Sequence, residues 1–253
     1  MKALILKAPG TNRDFDVRGA LERAGGAAEI LPLSELRSAP GSMRGYGMLV
    51  IPGGFSYGDA LGAGKLFALD LSQFFADEVR HFVETGKPVL GICNGFQALV
   101  KAGILPGKKF EAHKFTLARN AGGNFECRWV RLVAPHSRSI WTQGIESLFC
   151  PVAHGEGRFA ADFSDAGALL QTEGCIVLQY ADAQGAPAQG NYPENPNGSI
   201  ADIAGICNAA GNVLGLMPHP ENAVFEWQYA SLPGRSGDGA LRLFENGLRY
   251  AAS

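Results

Sequence analysis

The chain has 253 residues, 46% of them hydrophobic and 18% charged, with a formal net charge of −2. This is an ordinary globular composition with enough apolar residues for a sizeable core, and it offers no basic field for nucleic acid or an anionic membrane. No run is long enough to span a membrane, the opening Met1–Ala8 stretch is too short for a signal peptide, and the five cysteines form neither a disulfide framework nor a zinc motif. A reducing cytoplasm is the expected setting.

In chain order, Ala3 to Leu6 is a short apolar run closed by Pro9-Gly10, and it predicts a first buried strand. Asp14 to Ala24 has apolar residues at helical spacing and stops at Gly25-Gly26. Ala28 to Leu33 and Met48 to Ile51 predict two more strands, the second ending in Pro52-Gly53-Gly54. Gly53 to Gly64 is glycine-rich but lacks the ending of a P-loop, and no dinucleotide fingerprint follows the first strand. Leu66 to Glu84 predicts one long helix, and Val89 to Ile92 a strand that runs straight into another helix. The later part is richer in strands: Arg128 to Ala134, Phe149 to His154, Cys175 to Tyr180, Ile200 to Cys207 and Val213 to Met217. Leu241 to Tyr250 closes the chain as an amphipathic helix. The predicted fold is α/β, an open, mostly parallel twisted sheet with helices on both faces and extra antiparallel strands in the second half. No linker or repeat divides it, so residues 1–253 are expected to form one domain.

Cys93 stands at the junction of the Val89–Ile92 strand and the following helix, with Gly91 and Gly95 on either side. This is the pattern of a nucleophile elbow with sulfur in place of a hydroxyl, at a helix N-terminus whose dipole favours a thiolate. A buried cysteine closing a core strand would read the same way locally. A cysteine nucleophile needs a base and a group that orients it. His81 falls within the long helix, and His113 and His136 sit in polar loops, so all three read as packing or solvent-facing residues. His219 follows a buried strand between Pro218 and Pro220, with Glu221 two positions on. In extended backbone the two side chains point to one side, so the carboxylate can hold the imidazole's tautomer. The alternative for this segment is a rigid surface turn. The chemistry these residues suit is acyl transfer through a thioester, with oxyanion donors at the Asn94 N–H and in the Gly53-Gly54 turn.

Taken together, Pro52-Gly53-Gly54, the Gly91–Gln97 elbow and Pro218-His219-Pro220-Glu221 resemble the class I (triad) glutamine amidotransferases, a flavodoxin-like fold family. Five segments narrow the resemblance: Pro9–Asn12, Gly53–Asp59, Cys93–Gln97, Ala153–Gly157 and Asn195–Ser199. They are similar to those of the glutaminase subunits of phosphoribosylformylglycinamidine synthases, over nearly the whole chain. The resemblance implies Cys93 as nucleophile, His219 and Glu221 as the rest of a triad, oxyanion amides at Gly54 and Asn94 beside Gly53, and Gln97 as a glutamine contact. It implies hydrolysis of L-glutamine, with the ammonia passed to a synthase subunit that makes formylglycinamidine ribonucleotide in purine synthesis. ATP and Mg²⁺ would then belong to that partner, this chain would hold no cofactor or metal, and a small accessory subunit would complete the assembly. The glycine-rich loop and His154-Gly155-Glu156 would lie near the site mouth or the partner contact, with His154 equally well read as a loop histidine bonded to its neighbours. Arg13 and Asn222 depart from the pattern, where cysteine and arginine are common. The competing readings are another cysteine hydrolase on a similar sheet and a non-catalytic assembly subunit.

Overall fold

A computed structural model describes residues 2–107, 112–230 and 238–253. Among them are strands β1 (Lys2–Lys7), β2 (Ala27–Pro32), β3 (Met48–Ile51), β4 (Val89–Ile92), β5 (Phe115–Ala118), β6 (Glu126–Val133), β7 (Ser147–His154), β8 (Arg158–Ala161), β9 (Ile176–Ala181), β10 (Ile203–Cys207) and β11 (Val213–Leu216). The helices are α1 (Asp14–Arg23), α2 (Leu33–Ser38), α3 (Lys65–Gln73), α4 (Ala76–Glu84), α5 (Asn94–Lys101), α6 (Ala166–Thr172), α7 (Glu226–Tyr229) and α8 (Asp238–Ala252).

Among the described residues nine strands form one sheet in the order β2-β1-β3-β4-β11-β10-β9-β6-β7, and β5 pairs with β8 in a separate ribbon. The pairings from β2 through to β11 are parallel, and those from β11 through to β7 are antiparallel. The central strands carry the continuous apolar runs that a sheet covered on both faces requires: β3, β4 and β11 are buried at every position. Strand alternation shows the two covers. α8 packs its Gly247 against Met48, whereas α5 packs Gly95 against Ile51, three positions along the same strand and so on the opposite face.

Close approach fixes the seat of α5. A Cβ on Gly95 would lie 1.9 Å from the Ile51 carbonyl oxygen, so only glycine lets the helix rest directly on β3. The two-stranded ribbon is anchored to the same helix through aromatic rings. Phe96 of α5 stacks on Phe159 of β8 with centroids 6.1 Å apart, and Phe159 stacks in turn on Phe115 of β5 at 5.7 Å.

Some predicted elements differ in the structure. The single helix expected over Leu66–Glu84 is two helices, α3 and α4, interrupted at Phe74-Phe75, and Phe75 is buried. Leu33 begins α2 rather than ending β2, and the expected strand from Ile200 begins as a short 3₁₀ turn with Ala201 at φ 49°. The short elements β5, β8, α2, α6 and α7 carry too few residues to show a period of their own.

Candidate active site

The site forms where β4 and β11 lie side by side. Their register pairs Ile92 with Leu216, so the segments leaving both strands emerge next to each other at the carboxyl end of the sheet. Cys93 follows Ile92, and Met217-Pro218-His219 follows Leu216. The N–H of Cys93 donates to the Leu216 carbonyl at 2.8 Å, and the Cys93 carbonyl accepts from the Gln97 N–H at 3.0 Å. Between these ties Cys93 adopts φ 50° and ψ −103°, a conformation that L-residues rarely take and that surrounding structure must enforce.

His219 and Glu221 meet by a different route from the one expected. The residues Pro220–Asn222 form a 3₁₀ turn, so the pair is joined by a tight turn and not by alternation along an extended strand. His219 Nδ1 lies 2.7 Å from Glu221 Oε1, and both side chains are buried. Burial disfavours the charged ring, but the Glu221 carboxylate and then Cys93 outweigh it and push the imidazole pKa from 6.5 up to about 10. His219 Nε2 has no hydrogen-bond partner among the described residues, although the Cys93 sulfur is near enough to bias its proton affinity. Beneath the pair, burial and then the Glu221 charge push the buried Cys150 thiol well up.

Gly53 lies against both reacting groups. A Cβ there would stand 2.9 Å from His219 Cε1 and 3.5 Å from Cys93 Cβ. Gly54 follows at φ 142°, and neither its N–H nor that of Asn94 bonds to any described residue. Two unspent amide donors therefore flank the elbow, as an oxyanion hole requires. Arg13 also reaches this turn: its N–H donates to the Gly53 carbonyl at 3.3 Å, and its guanidinium pairs with Asp16. Asn222 donates its N–H to the His219 carbonyl at 3.1 Å.

The edge strand β7 comes back over the site although it is five places from β4 in the sheet. The Ala153 carbonyl lies 3.7 Å from Cys93 Sγ, and the Pro151 carbonyl accepts the His219 N–H at 2.8 Å. His154 is buried at the end of β7, with Nδ1 3.2 Å from Asn120 Oδ1 and Nε2 3.5 Å from Asn197 Nδ2. Burial, reinforced by the charge on His219, pulls its pKa down to about 3, so the ring is neutral. Gln97 is buried, accepting from Asn94 Nδ2 at 3.0 Å and donating to the Glu156 carbonyl at 2.6 Å. Glu156 in turn accepts from the Ala63 N–H at 3.2 Å and pairs with Lys101 at 3.8 Å. The structure thus brings together Cys93, His219, Glu221, Gly53, Gly54, Asn94 and Gln97, with the glycine-rich loop and the His154–Glu156 segment beside them. Asn120, Lys101 and the Ala153 carbonyl escaped sequence reasoning. Asn120 and Lys101 stand outside any motif, and a backbone carbonyl has no residue signature. The remaining histidines stay apart: His113 and His136 are exposed and His81 is half-buried on α4. None of the five cysteines is in a disulfide.

A family model described as a CobB/CobQ-like glutamine amidotransferase domain matches residues 1–251. A Treponema denticola protein named phosphoribosylformylglycinamidine synthase subunit PurQ is 54% identical over 238 residues, 88% of each chain. The Dehalococcoides mccartyi protein of the same name is 41% identical, covering 99% of this chain and 98% of its own. Among solved structures, a chain of PurLQS from Thermotoga maritima superposes with a TM-score of 0.75 at 32% identity, over 98% of both chains.

Proposed function

The chain belongs to the CobB/CobQ-like glutamine amidotransferase family, and we propose on that footing that it is the glutaminase subunit of a phosphoribosylformylglycinamidine synthase. It hydrolyses L-glutamine to glutamate and ammonia, and a synthase subunit uses the ammonia to convert formylglycinamide ribonucleotide to the formylglycinamidine in purine biosynthesis. The observation that carries this reading is the pairing of β4 with β11, which sets Cys93 beside a His219 already backed by Glu221.

His219 carries a proton opposite the Cys93 sulfur, which reacts as the thiolate, the nucleophilic form of a cysteine. The thiolate attacks the side-chain amide carbon of glutamine, and the carbonyl π electrons move to oxygen, which the N–H groups of Gly54 and Asn94 receive. Collapse of that oxyanion breaks the C–N bond, and the proton on His219 Nε2 goes to the departing nitrogen, giving ammonia and a γ-glutamyl thioester. Water then attacks the thioester while neutral His219 takes its proton, the C–S bond breaks, and glutamate leaves with the thiolate restored. Glu221 holds the imidazole through Nδ1 and stabilises its charge throughout. Gly53 leaves the space in which the two side chains meet. Gln97 lines the glutamine side of the pocket, its amide exchanging the Glu156 carbonyl for substrate.

The same reading treats residues 1–253 as one glutaminase unit in the cytoplasm, working with the synthase subunit and a small accessory subunit. ATP and Mg²⁺ act on the synthase, and no cofactor or metal is assigned to this chain. A diazo-ketone analogue of glutamine tests the assignment directly. It should alkylate Cys93, and Cys93→Ala should abolish both labelling and glutamine hydrolysis. Labelling at another cysteine, or hydrolysis by Cys93→Ala, would exclude it.

A further inference from the structure

We infer that Ser56 and Asp59 of the glycine-rich loop are positioning residues for the oxyanion hole, acting through the side chain of Asn94. The inference rests on the glutaminase reading and adds to it a role for the loop between Gly53 and Gly64.

Asn94 contributes its backbone N–H to the hole, and the aim of that N–H depends on how the first residue of α5 is held. Its side chain is saturated. A carboxamide has two acceptor lone pairs and two N–H donors, and all four are spent. Oδ1 accepts from the Ser56 N–H at 3.1 Å and from the Ser56 hydroxyl at 2.5 Å. Nδ2 donates to Asp59 Oδ1 at 3.1 Å and to Gln97 Oε1 at 3.0 Å. Three of these four bonds come from the loop, and Asn94 and Ser56 are both buried.

The loop accepts an unfavourable backbone in order to make them. Tyr57, Gly58 and Asp59 have φ of 56°, 63° and 52°, three left-handed residues in succession of which only one is glycine. Left-handed backbone is unfavourable for both of the non-glycine residues, whose Cβ crowds the neighbouring carbonyl. The excursion is pinned by the Tyr57 N–H on the Pro9 carbonyl at 2.7 Å and by the Tyr57 hydroxyl on Asp70. Its result is to turn the Ser56 and Asp59 side chains back onto the residue that follows the nucleophile. Strain concentrated at this point, with its side chains spent on an oxyanion donor, is the pattern expected of a preorganising element. The bonds fix Asn94 without touching Cys93, so they bear on the stage at which oxyanion charge develops and not on the nucleophilicity of the sulfur.

The test separates those two effects in the full chain, alone and with its synthase subunit. Glutamine hydrolysis passes through an oxyanion, whereas alkylation of Cys93 by iodoacetamide is displacement at a saturated carbon and needs no oxyanion hole. Ser56→Ala and Asp59→Ala should each lower kcat about 10- to 100-fold, with KM and the iodoacetamide rate both held within about three-fold. Asp59→Asn keeps an acceptor oxygen for Asn94 Nδ2 and should recover most of kcat. Wild-type kcat in both alanine variants would overturn the inference. So would a parallel fall in alkylation, which would mark a merely structural loop, or a rise in KM at constant kcat, which would mark a substrate contact. If the wild-type chain neither hydrolyses glutamine nor takes the diazo-ketone on Cys93, the glutaminase reading fails and not only the role of the loop.

Discussion

Gly53 is the residue whose chemistry lies in what it lacks. A methyl group there would stand 2.9 Å from His219 Cε1, closer than carbon atoms pack, and within contact of Cys93. Gly53→Ala should therefore separate the two side chains and lower kcat/KM by about 100-fold, while far-UV circular dichroism stays unchanged. The two buried histidines make a second prediction of opposite signs. His219 is protonated because Glu221 and Cys93 outweigh burial, and His154 is neutral because burial and the His219 charge outweigh a backbone hydrogen bond that favours the charged ring. In a histidine-labelled NMR titration, the His219 ring should keep its imidazolium shift to about pH 9 and the His154 ring its neutral shift to about pH 4. The link to stability follows from the direction. The folded pKa of His219 lies above the unfolded 6.5, so its stabilisation is complete below pH 6.5 and is lost as the pH rises through about 10. The melting temperature of the wild type should fall across that range, and His219→Gln should remove that part of the fall.

At the scale of elements, α5 governs the site because it carries the elbow, touches three strands of the nine-stranded sheet and anchors the ribbon. Gly95→Ala would place Cβ 1.9 Å from the Ile51 carbonyl oxygen, which only a shift of the whole helix can relieve. Such overpacking costs roughly 1–3 kcal/mol or more, to be read from chemical denaturation, and activity should fall with it because Asn94 moves with the helix. Phe159→Ala tests the other side of the helix. It removes the ring shared by two stacks at a cost of about 3–5 kcal/mol and loosens β8, which follows the Ala153–Gly157 segment over Cys93. Much of this level was legible: Gly91 and Gly95 on either side of Cys93 announced a turn with close packing, and β3, β4 and β11 were visible as short apolar runs. The break between α3 and α4 was not, because Phe74 and Phe75 continue the apolar pattern of a helix while tertiary packing buries Phe75 at the bend. The Pro220–Asn222 turn was also hidden, since proline restricts φ equally well at the start of a helical turn and in extended chain.

The whole molecule is a parallel core, β2 to β11, extended by antiparallel strands that return to the site. The contacts of β7 with Cys93 and His219 require the antiparallel part of the sheet to curl back, so that its edge strand lies over a site formed five strands away. Glutaminase activity measured with and without the synthase subunit belongs to this scale. Strong stimulation by the partner is the expected result, and full activity of the isolated chain would count against a coupled enzyme. The sequence by itself determined the chemistry and the order of its parts. A cysteine between glycines at a strand end, a late His-x-Glu and a Gly-Gly turn are local patterns, and local backbone preference and side-chain chemistry suffice to specify them. Only the tertiary structure decided that these parts meet. Strand order and register are long-range pairings that no local pattern encodes, and they set His219 beside Cys93, bring the Ala153 carbonyl onto its sulfur, and fold Ser56 and Asp59 back upon Asn94.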